Sequence, residues 1–100
     1  MIKDEIKEKV LKIMELALLL NPTETEYEIT GNKPTVFVDF SGHVCMLNIR
    51  VYFKGWEAGA APDVQKFVYL DGHTAENELN EVIDTLEKLY EEESQKWTSL

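Results

Sequence analysis

The chain has a single cysteine and no long apolar run, and each of these absences excludes a class of protein. Cys45 is the only cysteine among the 100 residues, so no disulfide can form within the chain. We therefore expect a reducing compartment and a fold stabilised by a packed core. The beginning of the chain, "MIKDEIKEKV", alternates charges in place of an apolar signal core. This pattern predicts a cytoplasmic protein with neither a membrane span nor a secretion signal.

Basic residues are also scarce, with 10 Lys and Arg against 19 Asp and Glu and a net charge of −9. Affinity for phosphate backbones depends on Lys and Arg displacing counterions, so we expect no direct nucleic-acid binding. An apolar content of 44% over 100 residues fits one domain that spans residues 1–100. The acids are uneven: residues 73–100 hold eight acids against two lysines, whereas the first twenty residues balance four against four.

The first twenty residues have the periodicity of an amphipathic helix from Ile2 to Leu20. Asn21 and Pro22 are expected to end this helix, because the residue before a proline avoids helical geometry. The residues on the predicted core-facing stripe are Ile6, Val10, Ile13, Ala17 and Leu20, widened by Leu11, Met14 and Leu18.

Strand-forming residues dominate from Thr35 to Lys54. A two-residue turn at Ser41 and Gly42 would pair Val38 with Cys45, so that the apolar faces of two strands coincide. A three-residue loop would turn polar groups inward. The positions predicted to face the core are Val36, Val38, Phe40, Cys45, Leu47, Ile49, Val51 and Phe53.

A third strand is predicted at Lys66 to Asp71, after a loop rich in Gly, Ala and Pro. Thr74 is then placed to cap a second amphipathic helix, which runs through Leu79 and Leu86 to Tyr90. Residues 24–30 alternate weakly between apolar and polar side chains, so a fourth strand at the edge of the sheet remains an open alternative. Two amphipathic helices over one apolar sheet face predict an α+β two-layer sandwich: an N-terminal helix, a three- or four-stranded antiparallel sheet and a C-terminal helix.

Residues that could carry chemistry are few and poorly spaced. His43, Cys45, Asp71 and His73 are ligand types that zinc uses, but no spacing implies that they converge. A nucleophile pair of Cys45 and His43 lacks an orienting acid, and the glycines do not form a phosphate-cradling pattern ahead of a helix. We therefore expect a protein that is not an enzyme, with no catalytic residues, no metal site and no cofactor.

The acidic second helix is the first candidate binding surface. Acids in its last turn are unfavourable by about 0.3 to 1 kcal/mol each at low salt, so local stability does not explain them. They are interpreted either as a solvated terminus kept soluble by charge or as a carboxylate patch for a partner protein with a basic surface. Trp56, in the long loop between the second and third predicted strands, is interpreted either as packing on the core of its own chain or as an exposed interface anchor. The predicted partner-binding residues are Trp56, Glu87, Glu91, Glu92 and Glu93.

The sheet face opposite the helices is the second candidate surface. It is expected to combine aromatic side chains with Met46 and the chain's only arginine, Arg50. Homodimerisation through this face, or capture of a planar anion stacked on its rings, would cover it. The residues predicted for the ligand-binding alternative are Phe37, Arg50, Tyr52, Lys54, Lys66 and Tyr69.

The segment "KPTVFVDFSGHVCMLNIRVYFKGW", residues 33–56, resembles strand pairs in small uncharacterised proteins from phages and prophages of Gram-positive bacteria. The size, the acidity and the plan of helix, strands and helix also resemble anti-CRISPR and other anti-defence proteins. This resemblance of architecture and composition implies a phage-encoded, non-catalytic inhibitor of a host defence protein, acting in the host cytosol through its acidic helix and loop. The alternative is a small-ligand binder that sequesters a signalling nucleotide.

Overall fold

The computed structural model describes residues 2–21 and 33–98, without the side chains of residues 96–98. In that part of the chain, the elements are α1 (Asp4–Leu20), β1 (Thr35–Ser41), β2 (Met46–Tyr52), β3 (Val64–Tyr69) and α2 (Ala75–Thr98). The strands form an antiparallel sheet in the order β1-β2-β3, which confirms the predicted α+β plan. Over the same residues, no helix has the length and apolar content to span a membrane. The open question of a strand at residues 24–30 lies outside the described residues.

Asn21 ends α1 and also fastens that helix to the sheet. Its backbone is extended, with φ −70° and ψ 135°, and its backbone N–H still donates to the Ala17 carbonyl at 3.0 Å. Its side-chain Nδ2 donates to the Val36 carbonyl at 2.9 Å, and its Oδ1 accepts from the Val36 N–H at 2.7 Å. The side-chain amide thus takes the place of a neighbouring strand at the edge of β1.

The core-facing side of α1 is narrower than the sequence predicts. Leu11, Met14 and Leu18, which were expected to widen the buried stripe, are exposed, so that expectation is wrong. α1 packs against β1 and α2 only, and these two neighbours leave its far side uncovered by any described element. The buried residues of α1 are Ile6, Ile13, Leu16, Ala17 and Leu20.

A four-residue loop, residues 42–45, joins β1 to β2 in place of the predicted two-residue turn. Val38 pairs with Ile49, four residues along the chain from its predicted partner Cys45, and the same shift applies to Val36. Because the shift is even, every strand side chain stays on its predicted face. The observed register also pairs all of β1 with all of β2, whereas the predicted one would leave the end of β2 without a partner in β1.

Phe40 and Phe53, which were predicted to face the core, are exposed, whereas Cys45 is partly buried and packs against the core. Cys45 is a half-buried loop residue with φ 55°, in the left-handed region that side chains other than glycine rarely adopt. Phe53 follows the end of β2 and is exposed, and Phe40 near the end of β1 is exposed as well. Cys45 and Phe53 lie just outside the strands, and Phe40 is exposed although its partner in β2, Leu47, is buried.

The second half of the chain agrees more closely with the prediction. β3 begins and ends two residues earlier than expected, and it turns Val68 inward and Phe67 outward, as predicted. α2 begins directly after Thr74, whose hydroxyl donates to the Glu78 carboxylate at 2.5 Å. The helix continues past Tyr90 to Thr98, so Glu91, Glu92 and Glu93 lie before its last turn, and the expectation that they occupy that turn is wrong.

α1 and α2 lie side by side over the inner face of the sheet and run in the same direction. The Lys9 ammonium donates to Asn80 Oδ1 at 2.7 Å, and residues 2–5 line the same surface cavity as Glu76. Buried side chains from both helices and all three strands form one core cluster. α2 has 24 residues and α1 has 17, and no residue from 90 to 95 is buried, so the last turns of α2 extend past the core.

Candidate functional site

The side of the sheet that faces away from both helices is called the open face here. No described helix covers it, and Phe67 and Tyr69 are 52% and 54% exposed there. Alternation along the strands places aromatic, amide and charged side chains on this face together. Its residues are Thr35, Phe37, Asp39, Ser41, Met46, Asn48, Arg50, Tyr52, Gln65, Phe67 and Tyr69.

Three rings at one end of the open face form the aromatic cluster, defined as Phe37, Tyr52 and Trp56. The Phe37 and Tyr52 rings meet edge to face, with centroids 5.7 Å apart and planes at 75°. The Trp56 ring lies 6.4 Å from that of Phe37 and tilted by 60°. Tyr52 is only 4% exposed, although it points away from the core. The loop residue Trp56 therefore folds back onto the sheet and fixes a packed patch of rings.

Arg50 lies beside the aromatic cluster and is held in place by two contacts. Its guanidinium carbon is 4.5 Å from the centroid of the Phe37 ring, a cation–π geometry, and its Nη2 is 3.7 Å from Asp39 Oδ2. Among the described side chains, the Arg50 Nε is the nitrogen that is buried without a hydrogen-bond acceptor. The stacked guanidinium therefore keeps one donor unsatisfied, and its charge is partly offset by the nearby carboxylate.

Polar side chains separate the aromatic cluster from a second apolar patch on β3. Gln65 Nε2 donates to Asn48 Oδ1 at 3.3 Å across the middle of the face. Beyond this amide pair, Met46 lies opposite Tyr69, and Phe67 lies opposite Asn48. The open face is thus a mixed surface of rings, amides and one arginine. Such a composition is more typical of a protein–protein interface than of a hydrophobic core.

The predicted ligand-binding residues do not all lie on one surface of the protein. Phe37, Arg50, Tyr52 and Tyr69 share the open face. Lys66 lies on the helix side of the sheet, where its Nζ donates to Glu81 Oε2 at 2.7 Å.

Two features of Glu81 act on Lys66. The hydrogen bond that this carboxylate accepts and then its charge, with a smaller contribution from the charge of Glu78, raise the pKa of Lys66 above its ordinary value. Lys54, which was also predicted to bind the ligand, follows β2 and lies beside α2. An anion bound on the open face would therefore contact Arg50 but neither of these two lysines.

The predicted partner-binding residues are also divided between two sides of the molecule. Trp56 lies on the open face with Phe37, whereas the four glutamates belong to α2, which packs on the other face. Glu87 and Glu91 are exposed and form no ion pair or hydrogen bond with the side chains that the structure describes. Trp56 therefore does not share a surface with the glutamates.

Glu92 and Glu93 line a surface groove of about 400 Å³ between α2 and the chain that follows β2. Two lysines lie in the same groove, so its acidic and basic groups are balanced in number. It therefore does not continue the acidic surface formed by Glu87 and Glu91. Its lining residues are Phe53, Lys54, Thr85, Lys88, Leu89, Glu92 and Glu93.

The residues considered as metal ligands lie in the two short connections that follow β1 and β3. His43 and Cys45 belong to the loop before β2, and Asp71 and His73 to the turn before α2. Over residues 2–21 and 33–98, no group of three or more His, Cys, Asp or Glu side chains has the arrangement of a metal site.

The sequence grouped Trp56 with the acids of α2 as one contact surface, and the structure places its ring beside Phe37. Gly55 precedes Trp56 and has φ 102°, a conformation that glycine adopts readily. A glycine three residues past the end of β2 lets the chain reverse, so that the next side chain lies over the sheet. The contact with Phe37 itself depends on residues far apart in the chain and could not be read from spacing.

Comparison of the chain with protein-family models, curated proteins and solved structures finds no match. The class of protein is therefore defined by its own geometry. It is a small α+β two-layer protein with both helices on one face of the sheet and the other face uncovered by them.

Proposed function

We propose that this chain is a non-catalytic protein-interaction module that docks on a partner protein through its open face. The observation that carries the proposal is the set of exposed or half-exposed rings, those of Phe37, Trp56, Phe67 and Tyr69, that share with Arg50 a sheet face that no described helix covers. Trp, Tyr and Arg are the residues that most often dominate binding energy at protein interfaces. Trp56 and Arg50 are already held by Phe37, so little side-chain freedom is lost when a partner binds.

The charge distribution indicates the chemistry of the partner. The open face carries one ion pair, Arg50 with Asp39, whereas the net charge of the chain is −9. The acids therefore supply a long-range field that attracts a basic protein, and the rings supply the contact. Glu87 and Glu91 belong to that field. The resemblance to anti-defence proteins suggests a host defence protein with a basic surface as the partner.

Two double variants distinguish direct contact through the rings of the open face from long-range attraction by the acids of α2. Phe67→Ser with Tyr69→Ser removes exposed rings from the open face, and Glu87→Gln with Glu91→Gln removes only charge. We expect the first variant to lose about 2 kcal/mol of partner affinity, roughly 30-fold, because exposed rings of this kind are typical hot spots. The second should slow association and reduce its dependence on salt, since exposed charges act over a Debye length of about 10 Å at 0.1 M.

The measurement is a quantitative pull-down from the native host with wild type and both variants, followed by binding kinetics with the purified partner at two salt concentrations. Circular dichroism checks that each variant is folded. If the glutamate variant loses the partner and the ring variant keeps it, the acidic helix is the contact surface and the open-face proposal is wrong.

A second candidate function is supported by the stacking of Arg50 on Phe37, which offers a flat cationic surface to a nucleotide. Asp39 lies 3.7 Å from the same guanidinium and repels a phosphate, which makes this candidate the weaker one. A ligand at 100 times its dissociation constant stabilises a protein by about 2.7 kcal/mol. Thermal shift of wild type and Arg50→Ala against cyclic and linear nucleotides tests it, and the absence of any shift for wild type would contradict it.

A further inference from the structure

α1 displays a second surface on its far side, opposite Ile13 and Leu20, that none of the described elements covers. Leu11, Met14, Leu18 and Leu19 are exposed by 68%, 40%, 66% and 53%, and together they are called the α1 stripe. Leu11 and Leu18 are seven residues apart, which places them two turns apart on the same side of the helix. Leu11, Met14 and Leu18 thus form one row along the helix, with Leu19 beside its C-terminal end.

The packing of the described residues does not explain the α1 stripe. The core that these residues form buries the opposite side of α1, at Ile6, Ile13 and Leu16. Contiguous exposed aliphatic surface is uncommon on soluble proteins and marks contact sites when it occurs. Apolar residues at positions i, i+3 and i+7 form the pattern by which one helix docks on another.

We propose that the α1 stripe is a self-association surface, which pairs with the α1 helix of a second copy of this chain in an antiparallel arrangement. With a twofold axis near Met14, Leu11 of one copy packs beside Leu18 of the other. The same patch then serves both subunits, as a closed twofold dimer requires.

Charge favours a second copy as the occupant of this surface. The first twenty residues hold four acids and four lysines, so the whole net charge of −9 comes from the rest of the chain. Two copies that approach through α1 therefore meet at the electrically neutral part of each molecule. Lys12 and Glu15, which border the α1 stripe, already form an ion pair at 3.6 Å. A strongly basic partner would find no excess of acid on this helix.

The size of the α1 stripe sets the strength of the dimer. Four partly exposed side chains offer a few hundred Å² per copy, less than the roughly 800 Å² per partner of a standard stable interface. The dimer should therefore dissociate on dilution. Because α1 packs on the inner face of the sheet, the open faces of both copies remain accessible. If the proposed function is correct, the dimer presents two binding faces.

The test is sedimentation equilibrium of the full chain over a wide concentration range. Wild type should rise from the chain mass of 11.5 kDa towards twice that value. Leu11→Gln with Leu18→Gln should weaken the dimer more than about 100-fold, since each lost leucine contact is worth about one power of ten or more. Phe67→Ser with Tyr69→Ser is the matched control with two exposed apolar residues changed on the open face. It should dimerise like wild type.

Two results would overturn this inference. A wild type that stays monomeric up to millimolar concentration would mean that the α1 stripe does not associate with itself. Loss of the dimer in the open-face control, with the leucine variant unaffected, would place self-association on the open face. The first result leaves the proposed partner contact untouched, whereas the second would place the dimer on the same face as that contact.

Cross-linking tests the position of the axis. In a Cys45→Ser background, Met14→Cys should oxidise to a disulfide-linked dimer much faster than Glu87→Cys, a control on the exposed side of α2. Equal rates for the two variants would contradict the antiparallel pairing of α1. Circular dichroism of each variant shows whether the fold is kept, as expected for changes at exposed positions.

Discussion

The junction between α1 and β1 gives the sharpest prediction about the fold. Asn21 forms two short hydrogen bonds with the backbone of Val36, one as donor at 2.9 Å and one as acceptor at 2.7 Å. Val36 is buried in the core. Asn21→Ala therefore removes both partners from a backbone position that has little access to water.

The size of the effect follows from these two bonds. An intramolecular hydrogen bond contributes about 0.5 to 1.5 kcal/mol net, and a buried group left without a partner costs about 1 to 3 kcal/mol. Asn21 is half-buried, so water can reach part of the site after truncation. We expect Asn21→Ala to lower the free energy of unfolding by about 2 kcal/mol. For a chain of this size, that corresponds to a loss of roughly 10 °C in Tm.

Urea denaturation followed by circular dichroism measures the change, with Asn48→Ala as the matched control. Asn48 accepts one longer bond, 3.3 Å from Gln65, on the exposed side of the sheet. The control should lose less than about 0.5 kcal/mol. Asn21→Asp keeps an acceptor for the Val36 N–H and should fall between the two. If Asn21→Ala is no less stable than Asn48→Ala, the side-chain amide does not hold the junction and the reasoning is wrong.

Two further predictions concern an ion pair and the core. The pKa of Lys66 is raised above 10.5 in the folded protein, so stabilisation by Glu81 is complete below that pH and is lost as the pH rises through the folded pKa. The stability difference between wild type and Lys66→Met, at most about 1 kcal/mol for an exposed pair, should shrink in that alkaline range in urea denaturation; a difference unchanged there would contradict the assignment. Leu86→Ala, at 0% exposure, should cost about 2 to 5 kcal/mol. Leu18→Ala, at 66% exposure, should cost under about 0.5 kcal/mol when the chain is dilute and monomeric, and equal losses would refute this packing.

The end of α1 and the start of α2 could be predicted from the sequence because their causes are local. Pro22 excludes helical geometry at Asn21, and Thr74 precedes the first turn of α2. The inward and outward alternation of the strands was predictable for the same reason, since it depends only on the two-residue period. Even a wrong register kept each strand side chain on its correct face, because the error was an even number of residues.

The buried side of α1 could not be predicted from composition. Apolar residues surround much of this helix, and Leu11 and Leu16 are equally hydrophobic. The position of β1 and α2 decides that Leu16 is buried and Leu11 is exposed. The same limit applies to the candidate site: the sequence identified the rings and Arg50, but grouped Trp56 with glutamates on the other side of the sheet.

The order of helices and strands, the faces of each strand and the acidity of α2 were determined by the sequence by itself, because each depends on residues close together in the chain. Only the tertiary structure decided the length of the loop at residues 42–45, the exposure of the α1 stripe and the contact of Trp56 with Phe37. These features depend on packing between segments that are distant in the chain, where several arrangements satisfy the same local pattern.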